Sequence, residues 1–106
     1  MKAIQKSKLQ RAGIRVTDTK TYLGLSDDEM VLIDMKIALV QRLRKLRARK
    51  GVTQAQLAKL LGSSQPRVAM IERGHRSVSL DLICRALFLL GASRKDLGRV
   101  IARDAA

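Results

Sequence analysis

The side chains best suited to chemistry in this sequence lie between Gln54 and Arg76. The carboxamide of Gln65 can bond bidentately to adenine N6 and N7, and the guanidinium of Arg67 fits guanine O6 and N7 or a phosphate. Pro66 and Met70 offer apolar surface to a thymine methyl, and Ala69 is small enough to let a backbone come close. Arg73 and Arg76, with His75 between them, follow directly and can clamp phosphates. Residues for bond-breaking chemistry are missing. Cys84 is the only cysteine and His75 the only histidine, so there is no zinc knuckle, Cys-X-X-Cys redox pair or nucleophile–base pair. No glycine loop is built to cradle a nucleotide phosphate. The expectation is a protein that is not an enzyme and takes no metal and no cofactor. Cys84, set among Leu82, Ile83, Ala86 and Leu87, reads as a small core hydrophobe.

Composition points to the same partner. The 106 residues carry 22 Lys and Arg against 9 Asp and Glu, a net charge of +13. Such an excess favours a polyanion, either nucleic acid or an anionic membrane surface. Aromatic residues make up 2%, Tyr22 and Phe88, too few for the stacking platforms of single-strand binders. Double-stranded DNA remains. A membrane-surface helix would need Trp or Phe on the apolar face of its basic helix, which this chain lacks. No apolar run is long enough to span a bilayer, and the N-terminus lacks the apolar segment of a signal peptide, so a cytoplasmic protein is expected. An apolar fraction of 46% is that of a globular chain, and the length suits one domain.

The elements that must position these residues are helices with readable ends. Residues 1–25 carry six basic side chains and one acid, Asp18, without helical periodicity; they read as a loosely ordered basic arm, with an extended piece near Ile14–Thr17. Ser26 and Glu29 match a capping box, with Asp27 and Asp28 at the positive end of the helix dipole, and nothing breaks a helix before Gly51. Thr53 and Gln56 form another capping box, opening a short helix that ends at Leu61. Ser64 caps the next helix, with Pro66 in its first turn, where a missing N–H costs nothing. It runs to Arg73 and stops at Gly74. Ser79 and Ser93 open two more, Leu80–Leu90 and Arg94 to about Ala102. No run alternates like a strand. The fold class is all-α with five helices, and residues 26–106 form a single domain.

Within it, residues 54–73 have helix-turn-helix spacing. Two short helices meet at Gly62, Ala58 is small where they cross, and Leu57, Leu61, Val68 and Ile71 face inward. The outward residues of the second helix then enter a major groove N-terminus first. Glu72 is the lone acid among eleven Lys and Arg between Lys36 and Arg76. It would repel phosphate, so a structural role is expected. The basic run Arg42–Lys50 taken alone reads as a solvated helix face.

Gly51-Val52-Thr53-Gln54-Ala55-Gln56-Leu57-Ala58, Ser64-Gln65-Pro66-Arg67-Val68 and Ile71-Glu72-Arg73-Gly74 together resemble the Xre or phage-repressor family, over about Leu39–Gly91. Ser63 departs from it, since the family usually places an aliphatic residue in the turn. The resemblance implies a phage-repressor-like domain whose Gln54 bonds a phosphate at a helix N-terminus, and a partly buried ion pair between Arg47 and Glu72. It implies DNA contacts from Gln54, Ser64, Gln65, Pro66, Arg67, Ala69, Met70, Arg73 and Arg76, and a repressor acting as a homodimer on a palindromic operator. Val31, Ile33, Ile37 and Val40, apolar positions beyond the needs of a small core, are the expected dimer seam, the alternative being that the N-terminal arm folds back over them; Leu97, Val100 and Ile101 form a competing or contributing patch. Residues 22–29 and the extended first helix also resemble HigA-type antitoxins, which adds a protein toxin as an alternative partner.

Overall fold

The computed structural model describes residues 26–102. Among them are five α-helices and no strand: α1 (Asp27–Arg49), α2 (Gln54–Leu61), α3 (Gln65–Glu72), α4 (Leu80–Leu89) and α5 (Arg94–Ala102). The fold is all-α and contains the helix-turn-helix pair α2–α3. The basic arm at 1–25, including the piece expected at Ile14–Thr17, lies outside the described residues. Contacts divide the chain inside α1: Lys36–Ala102 is one compact unit, and Met35 with the α1 residues before it falls in the other.

Each helix begins where a side chain can satisfy its first free N–H groups. At the start of α1, Glu29 N donates to Ser26 Oγ (3.2 Å) and Ser26 N to Glu29 Oε1 (3.3 Å). Thr53 and Gln56 make the same reciprocal pair at α2, at 3.0 and 2.9 Å. Ser64 Oγ accepts from Arg67 N at α3 and Ser79 Oγ from Leu82 N at α4. At α5, Ser93 N donates to Asp96 Oδ2 (2.8 Å) and Asp96 N to Ser93 Oγ (3.1 Å).

The turn between α2 and α3 depends on Gly62, which sits at φ 65°, ψ 36° in the left-handed region that other residues enter at a cost. There Ser63 N donates back to Ala58 O (2.8 Å) and Gly62 N to Lys59 O (3.1 Å), closing the helix end. Ser63, polar where an aliphatic residue is usual, stays exposed and leaves this closure intact.

The core of the Lys36–Ala102 unit is built from Leu39, Leu43 and Leu46 of α1, Leu57, Ala58 and Leu61 of α2, Val68 and Ile71 of α3, and Ile83, Ala86 and Leu87 of α4. α2 packs on α3 and on α4. Lys36 Nζ donates to Val78 O (2.9 Å), pinning α1 to the chain just before α4. Cys84 packs partly buried against the core, and burial raises its thiol pKa, the Asp81 charge adding to the effect.

The expected seam needs correction. Val40 is 5% exposed and belongs to the core cluster, so it is not free to meet a partner. Nine residues at about 100° each also place Val31 roughly opposite Val40, so the four side chains never shared one stripe. Ile33 and Ile37 remain one turn apart, with Ile37 48% exposed. The patch on α5 shrinks likewise: Leu97 is buried and Val100 packs against the core, leaving Ile101 exposed.

Candidate nucleic-acid interface

α3 owes its orientation to Val68 and Ile71, both fully buried, which turn Gln65, Pro66 and Arg67 outward. These three lie in the first turn of the helix and are all exposed. Ala69 and Met70 are half-buried, and Met70 packs against the core cluster, so part of its side chain serves the interior. Ser64 is exposed and spends its hydroxyl on the cap. Arg73, His75 and Arg76 are exposed in the chain that follows α3. Ser77 N donates to His75 Nδ1 (3.1 Å), and that nitrogen also lies 2.8 Å from Ser77 Oγ, so the ring is hooked into its own turn. Among the described residues no group of three or more His, Cys, Asp or Glu could hold a metal ion.

Behind the exposed turn runs a chain of polar contacts linking three helices. Arg47 of α1 meets Glu72 at the end of α3 through both ends of its fork: Nε donates to Oε2 (2.5 Å) and Nη2 to Oε1 (2.8 Å). Arg47 Nη1 also donates to Val52 O (2.9 Å). Gln54, opening α2, donates from Nε2 to Glu72 Oε1 (3.0 Å) and accepts at Oε1 from Gln65 Nε2 (2.6 Å). The side chains of Arg47 and Glu72 are 21% and 5% exposed. Burial by itself pushes the Glu72 carboxyl upward. The hydrogen bonds from Arg47 and Gln54, and the charges of Arg47 and Arg44, outweigh it and hold the pKa below the ordinary value. The hydrogen bond to Glu72 raises the pKa of Arg47 against the opposing effect of burial, with the Glu72 charge helping.

This network orders donors and acceptors. Because Gln54 gives its N–H to a carboxylate, its oxygen must face Gln65, and Gln65 must answer with an N–H. That bond uses one N–H of Gln65; its Oε1 and second N–H form an acceptor–donor pair of the kind that matches the N6 and N7 edge of adenine. Sequence reasoning pairs Arg47 with Glu72, as the fold does; it does not reach the bridge made by the Gln54 amide, which spans Glu72 and Gln65. Its separation from Gln65, eleven residues across a turn, carries no local signal. Arg44 was also missed as a neighbour of Glu72, although it stands one turn before Arg47 on the same helix.

Comparison with known proteins agrees with this geometry. The family described as helix-turn-helix domain matches residues 38–100, more than half of the chain. An uncharacterized HTH-type transcriptional regulator of Haemophilus influenzae is 32% identical over 66 residues, which cover 62% of this chain and 67% of that protein. No solved structure matches the chain. With α2 and α3 forming the paired helices and Gln65, Pro66 and Arg67 at the exposed start of the second, the chain belongs to the helix-turn-helix family of DNA-binding transcriptional regulators.

Proposed function

We propose that this regulator is a repressor of the Xre type that reads duplex DNA with the first turn of α3 and binds a palindromic operator as a homodimer. The observation that carries the reading is the Glu72–Gln54–Gln65 chain, which presents the Gln65 amide at the exposed start of α3 in one orientation. A side chain already held in its reading geometry loses less entropy on binding. Gln65 takes an adenine, Arg67 a guanine edge or phosphate, and Pro66 with the outer part of Met70 a thymine methyl. Ala69 allows close approach, while Arg73, Arg76 and the N-terminal turns at Gln54 and Ser64 hold the backbone. A single α3 touches few base pairs, so two copies on half-sites about 34–36 Å apart supply operator affinity. Ile33 and Ile37 of α1 are the seam in this reading. The exposure of Ile37 also supports a second reading, an antitoxin of HigA type whose α1 binds a protein toxin.

Selection from a random duplex pool tests the main reading. The expected product is a site with two-fold symmetry and an adenine in each half that Gln65→Ala no longer requires. A selected pool with no sequence in common would refute base reading. A non-symmetric single site would refute the dimer.

A further inference from the structure

The second half of α1 has a face that neither base reading nor the Arg47–Glu72 pair uses. Gln41, Arg44, Lys45 and Ala48 follow the i, i+3, i+4, i+7 spacing of one helix side, and all four are exposed. Together with Arg47 they line one depression of the surface. Its place is fixed by Arg47, which lines the same depression and donates to Glu72 at 2.5 and 2.8 Å. Glu72 in turn is bonded to Gln54, and Gln54 to Gln65. The α1 face therefore adjoins the elements that read the groove.

Its charge pattern is that of a surface awaiting an anion. An exposed helix is stabilised by opposite charges at i,i+4 and destabilised by like ones. Here Lys45 and Arg49 are like charges at i,i+4, Arg42 and Lys45 at i,i+3, and no acid occurs between Asp34 and Glu72. Among the described residues, Arg44 and Lys45 make no ion pair. The mutual repulsion is relieved when a polyanion lies along the stripe, and Ala48 leaves room for a backbone to come close.

We infer that this face of α1 is a second phosphate-binding surface, on which Arg44 and Lys45 take backbone phosphates of the duplex beside the bases read by α3. It rests on the duplex-DNA reading above and extends it, since such contacts add affinity on any sequence. The test is binding of a short fluorescein-labelled duplex of random sequence over a salt series, for wild type and for Arg44→Gln with Lys45→Gln. The slope of log affinity against log salt is expected to fall by about 1.8, roughly 0.9 for each phosphate no longer neutralised. A fall in melting temperature is expected only where Arg44, whose charge acts on Glu72, is removed. Lys45→Gln alone, which touches nothing in the Glu72 cluster, should keep the wild-type melting temperature and give half the change in slope. Arg94→Gln with Lys95→Gln removes the same charge from α5 and should leave the slope near wild type. A double variant in α1 that binds like wild type overturns the inference, and so does an equal loss in the α5 variant, which would mean that net charge alone is felt. A wild type that binds no duplex overturns the DNA reading itself.

Discussion

Replacing Glu72 by alanine removes the acceptor for two Arg47 donors and one Gln54 donor at once. Breaking a fully buried ion pair leaves an uncompensated charge and costs about 3–5 kcal/mol, whereas an exposed pair is worth below about 1 kcal/mol. The Glu72 side chain is 5% exposed but that of Arg47 is 21%, and Arg47 keeps its bond to Val52 O, so some hydration and one partner survive. The expected loss is therefore about 2–3 kcal/mol, between the two limits. In urea, with a slope near 1–2 kcal/mol per molar for a small domain, the midpoint should fall by about 1–3 M. A cycle with Arg47→Met should return a coupling of at least about 1 kcal/mol, since the residues share hydrogen bonds. The pH dependence has a fixed sign. The carboxyl lies lower in the fold than in the open chain, so its contribution is fully present above the unfolded value of about 4.3 and is lost as pH falls through the folded value. The stability gap between wild type and Glu72→Gln should therefore close on acidification below about pH 5. Asp96, pulled to about 2 chiefly by the Ser93 N–H, titrates alike in both proteins and cancels. An unchanged midpoint in Glu72→Ala, or a gap that widens in acid, would refute the reasoning.

Gln65→Ala should cost about 1–3 kcal/mol on the selected site and relax one position, while Arg73→Ala weakens all duplexes alike and lowers the salt slope by about one unit; competition binding separates the two patterns. Gln54→Ala frees the Gln65 amide and should lower discrimination at the same position as Gln65→Ala, which a cognate-to-random affinity ratio reads; an unaltered ratio would show that the Gln54–Gln65 contact does not position the reader. For the seam, sedimentation of Ile37→Glu beside wild type should turn a dimer into a monomer; a monomeric wild type at tens of micromolar would remove the seam. Gly91 sits at φ 95°, and a Cβ there would fall 2.8 Å from Lys50 Nζ. The ammonium is the free end of a flexible side chain and can move aside, but the backbone cannot. Gly91→Ala should lose about 1–2 kcal/mol, and Lys50→Ala should fail to restore it; full rescue in urea unfolding would place the cost in the contact instead.

The helix ends needed no tertiary information. Ser26, Thr53, Ser64, Ser79 and Ser93 cap their own helices through partners three residues away, and Gly62 closes its turn with bonds to Lys59 and Ser63 to Ala58. Such interactions are set by local geometry, so residue order is enough to read them, and the inward set Leu57, Leu61, Val68 and Ile71 follows from the helical period. Arg47 and Glu72 were legible by resemblance, because the surrounding motif residues fix how α1 crosses α3. The rest was decided by how far each helix is rotated in the packed domain. Val40 turns into the core rather than toward a partner, and Met70 lies half inside. Gln54 reaches Glu72 and Gln65, eighteen and eleven residues away, because α2 and α3 bring their ends together across the turn. A rotation of α1 by a few tens of degrees would have changed which of its residues are buried without altering a single cap. Helix limits are a property of short stretches of chain; the hydrogen-bonded path from Arg47 to the Gln65 amide exists only when three helices are packed at once.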